Sequence, residues 1–260
     1  MDDASAVGGM IDRYAHRLAP SAAKFAERVY AQGLGRYAER LRQYGFAGRG
    51  AVLDAGCGFG QWALALAGMN DRVEACDISE VRVDFVSELT QRRGVTNLRV
   101  SRQDLASLPY EDSSFDAVFC YGAVHLTAWR NTVAELARVL RSGGILYVNA
   151  NGFGWYKHLW VTRHNGSPDY DPKLVTARAL LNTCRYDAGE ASEPGLDVII
   201  EPADLRARLT DLGFHAITQD EEGCLGASDR ERARQGAFFR GDYGGDLGVY
   251  EIIAHKLGSR

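Results

Sequence analysis

The sequence predicts an α/β fold, one largely parallel sheet of seven strands with helices on both faces. Three observations carry that expectation. Strand-like apolar runs and helix-like amphipathic runs alternate five times between residues 51 and 148, the pattern of a parallel sheet joined by crossover helices. A turn holding Gly56, Gly58 and Gly60 lies directly between the first strand and the first helix of that alternation. Apolar residues make up 46% and charged residues 25% of the chain, the balance of a packed globular protein and not of a disordered one.

The elements follow in order. Residues 1–48 read as helices, with Phe25, Val29, Leu34, Tyr37, Leu41 and Tyr44 recurring at three- and four-residue steps. Pro20 breaks this stretch, and Gly45, Gly48 and Gly50 close it. Residues 51–55 form a short buried strand, followed by a helix from Gln61 to about Met69. A second strand, residues 72–76, ends at Asp77, and Val81, Phe85 and Leu89 mark the next helix, stopped by Gly94. Residues 97–101 and 115–120 are the third and fourth strands, separated by a polar loop with Pro109. Val133, Leu136 and Leu140 mark a helix that Gly143 and Gly144 terminate, and residues 145–148 make the fifth strand.

Texture changes after residue 150. Residues 151–200 are rich in aromatics and show one helical pattern, near Leu174 to Leu181, so a cap insertion is expected there. A helix starting at Pro202 carries Leu205, Leu209 and Leu212 and ends at Gly213. Residues 214–218 and 249–255 read as the last strands, and the charged, glycine-rich stretch 221–248 between them as a loop or cap segment. With 260 residues, at ~150 per domain, the chain divides into an N-terminal helical lid (1–48), a ligand-binding core (49–150), the cap insertion (151–200) and the C-terminal part of the core (201–260).

Charge and cysteine usage narrow the function classes. Lys and Arg total 30 against 34 for Asp and Glu, a net charge of −4, so the field that drives phosphate-backbone binding is missing and nucleic acid is not expected as a partner. No apolar stretch reaches the ~20 residues of a membrane span, and the acidic start lacks a secretory h-region. Cys57, Cys76, Cys120, Cys184 and Cys224 are odd in number and form no C-x-x-C pair, which points to reduced thiols and a cytoplasmic protein. The six histidines include no metal-ligand spacing, so no metal is expected.

The chemistry concentrates in Asp54-Ala55-Gly56-Cys57-Gly58-Phe59-Gly60. Glycines at such a turn allow positive φ and bring the backbone close to a ligand. A dinucleotide would require G-x-G-x-x-G with its pyrophosphate on the helix N-terminus. Here the third glycine comes one residue early, and a carboxylate two residues before the first glycine would repel a pyrophosphate while suiting a cation. S-adenosylmethionine is cationic and has no phosphate. Asp77, at the end of the second strand, stands where a ribose diol needs acceptors, a feature shared by NAD and S-adenosylmethionine sites. Asp104, after the third strand, could accept from an adenine amino group. All three acidic residues lie at C-terminal strand ends, where open α/β sheets bind ligands.

At these residues the chain resembles the class I S-adenosylmethionine-dependent methyltransferases, of Rossmann-like fold. The likeness runs from about residue 50 to 150: residues 52–58 for the first motif, Asp77-Ile78-Ser79 for the second, Asp104-Leu105 with 108–116 for the third and fourth, and Leu136 to Gly144 for a segment of the "RvLkpGG" type. Arg141 and Ser142 replace the commoner Lys-Pro. The resemblance implies an antiparallel last strand paired at the sheet edge. It also implies S-adenosyl-L-methionine as methyl donor and S-adenosyl-L-homocysteine as product. Carried over by position, Asp54, Gly56 and Gly58 would serve the methionine moiety, Asp77 the ribose and Ile78 the adenine face, with Cys57 between the glycines also cofactor-binding, a small apolar filler being its competing role. Asp104 and Leu105 would meet the adenine edge, Cys120 and Tyr121 the floor beside the sulfonium, and Trp129 a lid.

Function is then expected to be methyl transfer to N, O or C of a small-molecule metabolite, by a monomer or homodimer. His125 follows the fourth strand and is a candidate general base, with packing as its competing role. Tyr14, Trp155 and Tyr156 are candidate substrate contacts, each also explicable as core. Three alternatives stand beside this: a methyltransferase of protein or RNA, a non-catalytic S-adenosylmethionine-binding protein, and an NAD-linked oxidoreductase. The stretch after the fourth strand has no N-P-P-Y sequence, which counts against the first, and Asp54 with the glycine spacing counts against the third.

Overall fold

The computed structural model describes residues 3–31, 33–190, 195 and 197–258. Three helices come first: α1 (Asp3–Tyr14), α2 (Pro20–Tyr30) and α3 (Gly35–Gln43). Pro20 stands at the first turn of α2, where its missing N–H costs nothing and its fixed φ favours helix initiation. The alternating core follows as β1 (Ala51–Ala55), α4 (Gln61–Ala67), β2 (Arg72–Asp77), α5 (Glu80–Arg92), β3 (Leu98–Arg102), β4 (Phe115–Cys120), α6 (Trp129–Val139) and β5 (Leu140–Asn151). The remainder is α7 (Phe153–Thr162), α8 (Pro172–Asp187), α9 (Pro202–Asp211), β6 (Phe214–Glu221), α10 (Arg230–Gly236), β7 (Asp242–Tyr243), β8 (Asp246–Leu247) and β9 (Val249–Lys256).

Seven strands form one sheet in the order β3-β2-β1-β4-β5-β9-β6. β1 to β5 pair in parallel, while β9 runs antiparallel to both neighbours, β5 and β6. The expected edge hairpin is therefore present, and its long connection carries α10 and the separate β7-β8 ribbon. Strand order reverses between β1 and β4, and the crevice at that reversal is where such sheets hold ligands.

Every residue of β1 is buried, as expected for a parallel strand covered on both faces. Alternate side chains feed two cores. Val52 with Phe119 and Tyr147 packs under α1 to α5, whereas Leu53 with Val118 and Leu146 packs under α6 and α9. A third, smaller core of Trp155, Tyr156, Leu159, Ala179, Ile199 and Val249 joins α7 and α8 to the end of β9.

Three expectations are corrected. The insertion holds two helices, not one; Phe153 to Thr162 is aromatic and β-branched, poor in intrinsic helix preference, and it is tertiary packing that makes α7. Gly154 permits this, since a Cβ there would stand 2.3 Å from the Asp246 carbonyl oxygen. Second, β5 begins at Leu140, before the glycine pair taken as a helix stop, because Phe115 and Leu140 already pair there. Third, residues 221–248 are built structure. Glu222 is fully buried, and its carboxylate accepts from the Phe238 and Phe239 amides at 2.8 and 3.2 Å. Arg230 and Arg234 add bidentate pairs to Asp220 and Glu221.

Candidate active site

A cavity of about 640 Å³ opens at the C-terminal ends of β1, β2 and β4, between the sheet, the N-terminal helices and the cap. The glycine turn forms one wall. The amides of Gly56 and Cys57 both donate to the Cys76 carbonyl oxygen at 2.8 Å, locking the turn to β2. Gly56 has φ +83°, and a Cβ on it would lie 2.3 Å from Cβ of Ala123 in the loop after β4. The two loops that flank the strand-order reversal thus touch, and only glycine fits there. Gly58 also has positive φ, but a Cβ on it would meet no heavy atom of the described residues within 4 Å, so its backbone faces open cavity.

Asp77, 5% exposed, lines the cavity. One of its oxygens accepts from the Gly58 amide at 3.0 Å and the other from the Ser79 amide at 2.9 Å. These bonds fix the carboxylate and leave further lone pairs for hydroxyl donors. Ile78 beside it is 45% exposed, an apolar surface at the cavity wall. Asp104, its Oδ1 held by the Ala106 amide at 2.9 Å, and Leu105 complete that side.

Asp54 lies behind the turn and does not line the cavity. It is 1% exposed, and neither carboxylate oxygen has a hydrogen-bond partner among the described residues. Burial first, then the charge of Asp77, push its pKa up to about 8. Such a carboxyl responds to any positive charge brought near it.

Beyond the glycine turn, the wall is formed by Tyr121, Gly122, His125, Asn149, Asn151 and Trp155. Asn149 Oδ1 accepts from the Gly122 amide at 2.5 Å, tying β5 to the loop after β4. Tyr121 donates to Glu222 at 2.9 Å. His125 is 7% exposed; burial lowers its pKa, with Asp197 opposing.

Of the residues singled out from sequence, Gly56, Cys57, Gly58, Asp77, Ile78, Asp104, Leu105, Tyr121, His125 and Trp155 come together in this wall. Asp54, Cys120, Tyr14, Tyr156 and Trp129 do not. Cys120 is wholly buried in the sheet. Tyr14 packs edge-on against Phe85 and donates to Glu88 at 3.0 Å, both residues of α5, and does not line the cavity. Tyr156 lies within the cap core and donates to Asp197 at 2.9 Å. Trp129 is 3% exposed, packed in the α6 core under the Arg130 guanidinium, so it is no lid. Wall residues missed from sequence include Arg17, Leu18 and Phe25 from the N-terminal region, Gln61 and Trp62 of α4, Asn149, Asn151 and Phe239.

Residues 52–144 match a family model described as a methyltransferase domain. The fold is that of the class I S-adenosylmethionine-dependent methyltransferases. Among curated relatives, the uncharacterized methyltransferase YcgJ of Bacillus subtilis is 38% identical over 94 residues, 36% of this chain and 37% of that protein. The 27-O-demethylrifamycin SV methyltransferase of Amycolatopsis mediterranei is 37% identical over 98 residues, 36% of each. The sequence likeness thus spans little more than a third of these relatives, confined to the core. Solved YcgJ superposes with a TM-score of 0.56 at 20% identity, covering 86% of this chain and 99% of that one. The [4+2]-cyclase SpnF does so with a TM-score of 0.58 at 22% identity, covering 86% and 81%. At such identities these likenesses speak for the fold alone.

The residues of this methyltransferase fold suit the donor that the family name implies. The turn offers backbone at Gly58, Asp77 offers acceptors for a diol, and Ile78 offers an apolar face. Gln61 Oε1 and Trp62 Nε1, of residues in the same wall, have no hydrogen-bond partner among the described residues and can pair with polar groups of a bound molecule. Among the described residues no helix is long and apolar enough to cross a membrane, and no cluster of metal-ligating side chains occurs.

Proposed function

We propose that the protein is an S-adenosylmethionine-dependent methyltransferase acting on N, O or C of a small-molecule metabolite, as a cytoplasmic monomer or homodimer. The observation that carries this is the Asp77 carboxylate, fixed by the Gly58 and Ser79 amides at the wall of a cavity that begins on the glycine turn. Gly56, Cys57 and Gly58 would hold the methionine portion, Asp77 the ribose hydroxyls, Ile78 the adenine face, and Asp104 with Leu105 its edge. Asp54 would act from behind the turn, as a carboxylate stabilised by the donor's positive charge. Tyr121 would form the floor.

When bound, the donor supplies a methyl group already made electrophilic by its sulfonium. The chain's own residues then have an orienting task. Trp155, Phe239 and the N-terminal residues Leu18 and Phe25 enclose the acceptor side and exclude water, while polar atoms of Asn149 and Asn151 fix the acceptor's orientation. Alignment of the nucleophile at ~3–3.5 Å from the methyl carbon supplies much of the acceleration. A small-molecule acceptor is favoured because the cavity is walled by the cap and the N-terminal helices, and one relative is named for methylating a metabolite, 27-O-demethylrifamycin SV.

Incubation with isotopically labelled methyl donor and a metabolite panel tests this. Labelled product with stoichiometric S-adenosylhomocysteine is expected. Because the fold is shared with a protein named as a cyclase, binding alone is insufficient. Binding without turnover across the panel would contradict methyl transfer.

A further inference from the structure

Among the described residues, eight large apolar side chains stand exposed, and six of them belong to α7 and α8: Phe153, Trp160, Val161, Leu174, Leu180 and Leu181. The other two are Ile78, in the cavity wall, and Leu257, just past β9. The exposed apolar surface is therefore concentrated on the cap, and a concentrated patch marks a contact surface where single scattered residues would not.

Helix α8 builds most of it. Its buried residues Pro172, Thr176 and Ala179 face inward, and Ala179 packs with Tyr156 and Leu159. On the opposite side Leu174, Ala177, Leu181 and Cys184 are all exposed. They recur at steps of three and four, the spacing of a seam that packs against a second helix. Lys173, Leu180 and Asp187 flank the seam on one side, and Asp171, Arg178 and Arg185 on the other. Beside Leu180 and Cys184 lies a groove of about 220 Å³, lined also by Trp129, Phe153 and Thr183, where an incoming apolar side chain can seat.

We propose that this face binds a second copy of the chain, α8 against α8, antiparallel across a two-fold axis at the middle of the helix. The charges select that partner. With the seams in register, Leu174 of one copy meets Cys184 of the other, and Ala177 meets Leu181. Lys173 then stands by Asp187 of the second copy on one flank and Asp171 by Arg185 on the other, and the two-fold repeats each pair. Leu180 meets its own counterpart beside the groove. Arg178 does so on the other flank, where its long stem lets the guanidinium stay in water. Within one chain these charges have only loose partners: Asp187 lies 3.4 Å from Arg130, Arg185 3.7 Å from Glu190, and Lys173 5.0 Å over the Trp160 ring.

A membrane suits the face less well. An anionic bilayer selects a basic rim, whereas here Lys173, Arg178 and Arg185 alternate with Asp171, Asp187 and Glu190. The size fits a reversible dimer. α8 has 16 residues, about 24 Å of helix. With α7 beside it at ~10 Å between axes, each copy offers roughly 500 Å², and the total of about 1,000 Å² stands at the lower limit for a specific interface. Because α7 holds Trp155 in the cavity wall and Trp160 on the outer face, pairing also braces that wall. The inference does not depend on the reaction proposed above.

Sedimentation equilibrium of the full chain over a wide range of protein concentration tests this. The wild-type mass should rise from that of one chain to that of two. Leu181→Glu, at an exposed position, should weaken association about 10-fold or more without changing circular dichroism or the thermal midpoint. Asp187→Lys should weaken it about 10-fold, and adding Lys173→Asp should restore it, because these two positions face each other only in the antiparallel register. The charge exchange decides the matter even if Leu181→Glu does not fold. A wild type that stays a single chain throughout, a dimer that Leu181→Glu leaves intact, or a charge exchange that restores nothing would overturn the proposal. Flotation of wild type with phosphatidylserine vesicles, with no dimer in solution, would overturn it in favour of a membrane.

Discussion

The Tyr121 hydroxyl donates to Oε1 of Glu222 at 2.9 Å, joining one residue of the cavity wall to the segment that supplies Phe239 to the same wall. The same oxygen pairs with Arg40, and the other takes the Phe238 and Phe239 amides. One buried carboxylate therefore positions both Tyr121 and Phe239. The side chains are 9% exposed for Arg40 and 0% for Glu222, so the pair is desolvated and neither partner is safely removed.

Glu222→Ala should destabilise the protein by about 3–5 kcal/mol, since it strands a buried guanidinium. Denaturant unfolding monitored by tryptophan fluorescence measures this. A loss below about 1 kcal/mol would show that water reaches Arg40 in solution.

Gly56→Ala meets two obstacles, a positive φ and the Ala123 methyl 2.3 Å from the new Cβ. A cost of about 1–3 kcal/mol is expected from the combined strain. Pairing it with Ala123→Gly should recover only part of that stability, because the second change relieves the collision and not the backbone strain. Full recovery would show that φ contributes nothing.

Asp54 makes stability depend on pH. Its folded pKa of about 8 lies above the ordinary 3.8, so the folded chain binds the extra proton between these values. The contribution is complete below the unfolded pKa and is lost as pH rises through the folded one. Relative to wild type, Asp54→Asn should therefore gain stability steadily from pH about 4 to about 8 and level off above. Parallel denaturation curves over that range measure the difference. A flat difference would mean that Asp54 is ionised and solvated throughout.

The parts of the site that sequence made visible are those that one strand and its following loop supply together. Gly56, Gly58, Asp77 and Asp104 each stand at a strand's last residue or within three residues of its end, so local spacing was enough to place them. His125 was visible for the same reason. Its partners were not: Asn151 and Asp197 reach it from β5 and the segment before α9, and nothing local marks that meeting. Asn149 and Asn151 left only a faint sign, two polar residues alternating at the end of an apolar strand. Tyr14 was misplaced because a helical stripe tells which residues are buried, not which neighbour buries them. Phe239 was hidden in a glycine-rich stretch whose order depends on a hydrogen bond to Glu222, 17 residues earlier, a separation no helix or strand period reports.

The most direct test of the central claim is calorimetric titration of wild-type protein and Asp77→Ala with S-adenosylhomocysteine. Saturable one-to-one binding by the wild type is predicted, weakened about 10- to 100-fold by the substitution, the effect of losing hydrogen bonds to a charged acceptor. No binding by the wild type, or equal binding by Asp77→Ala, would contradict the account.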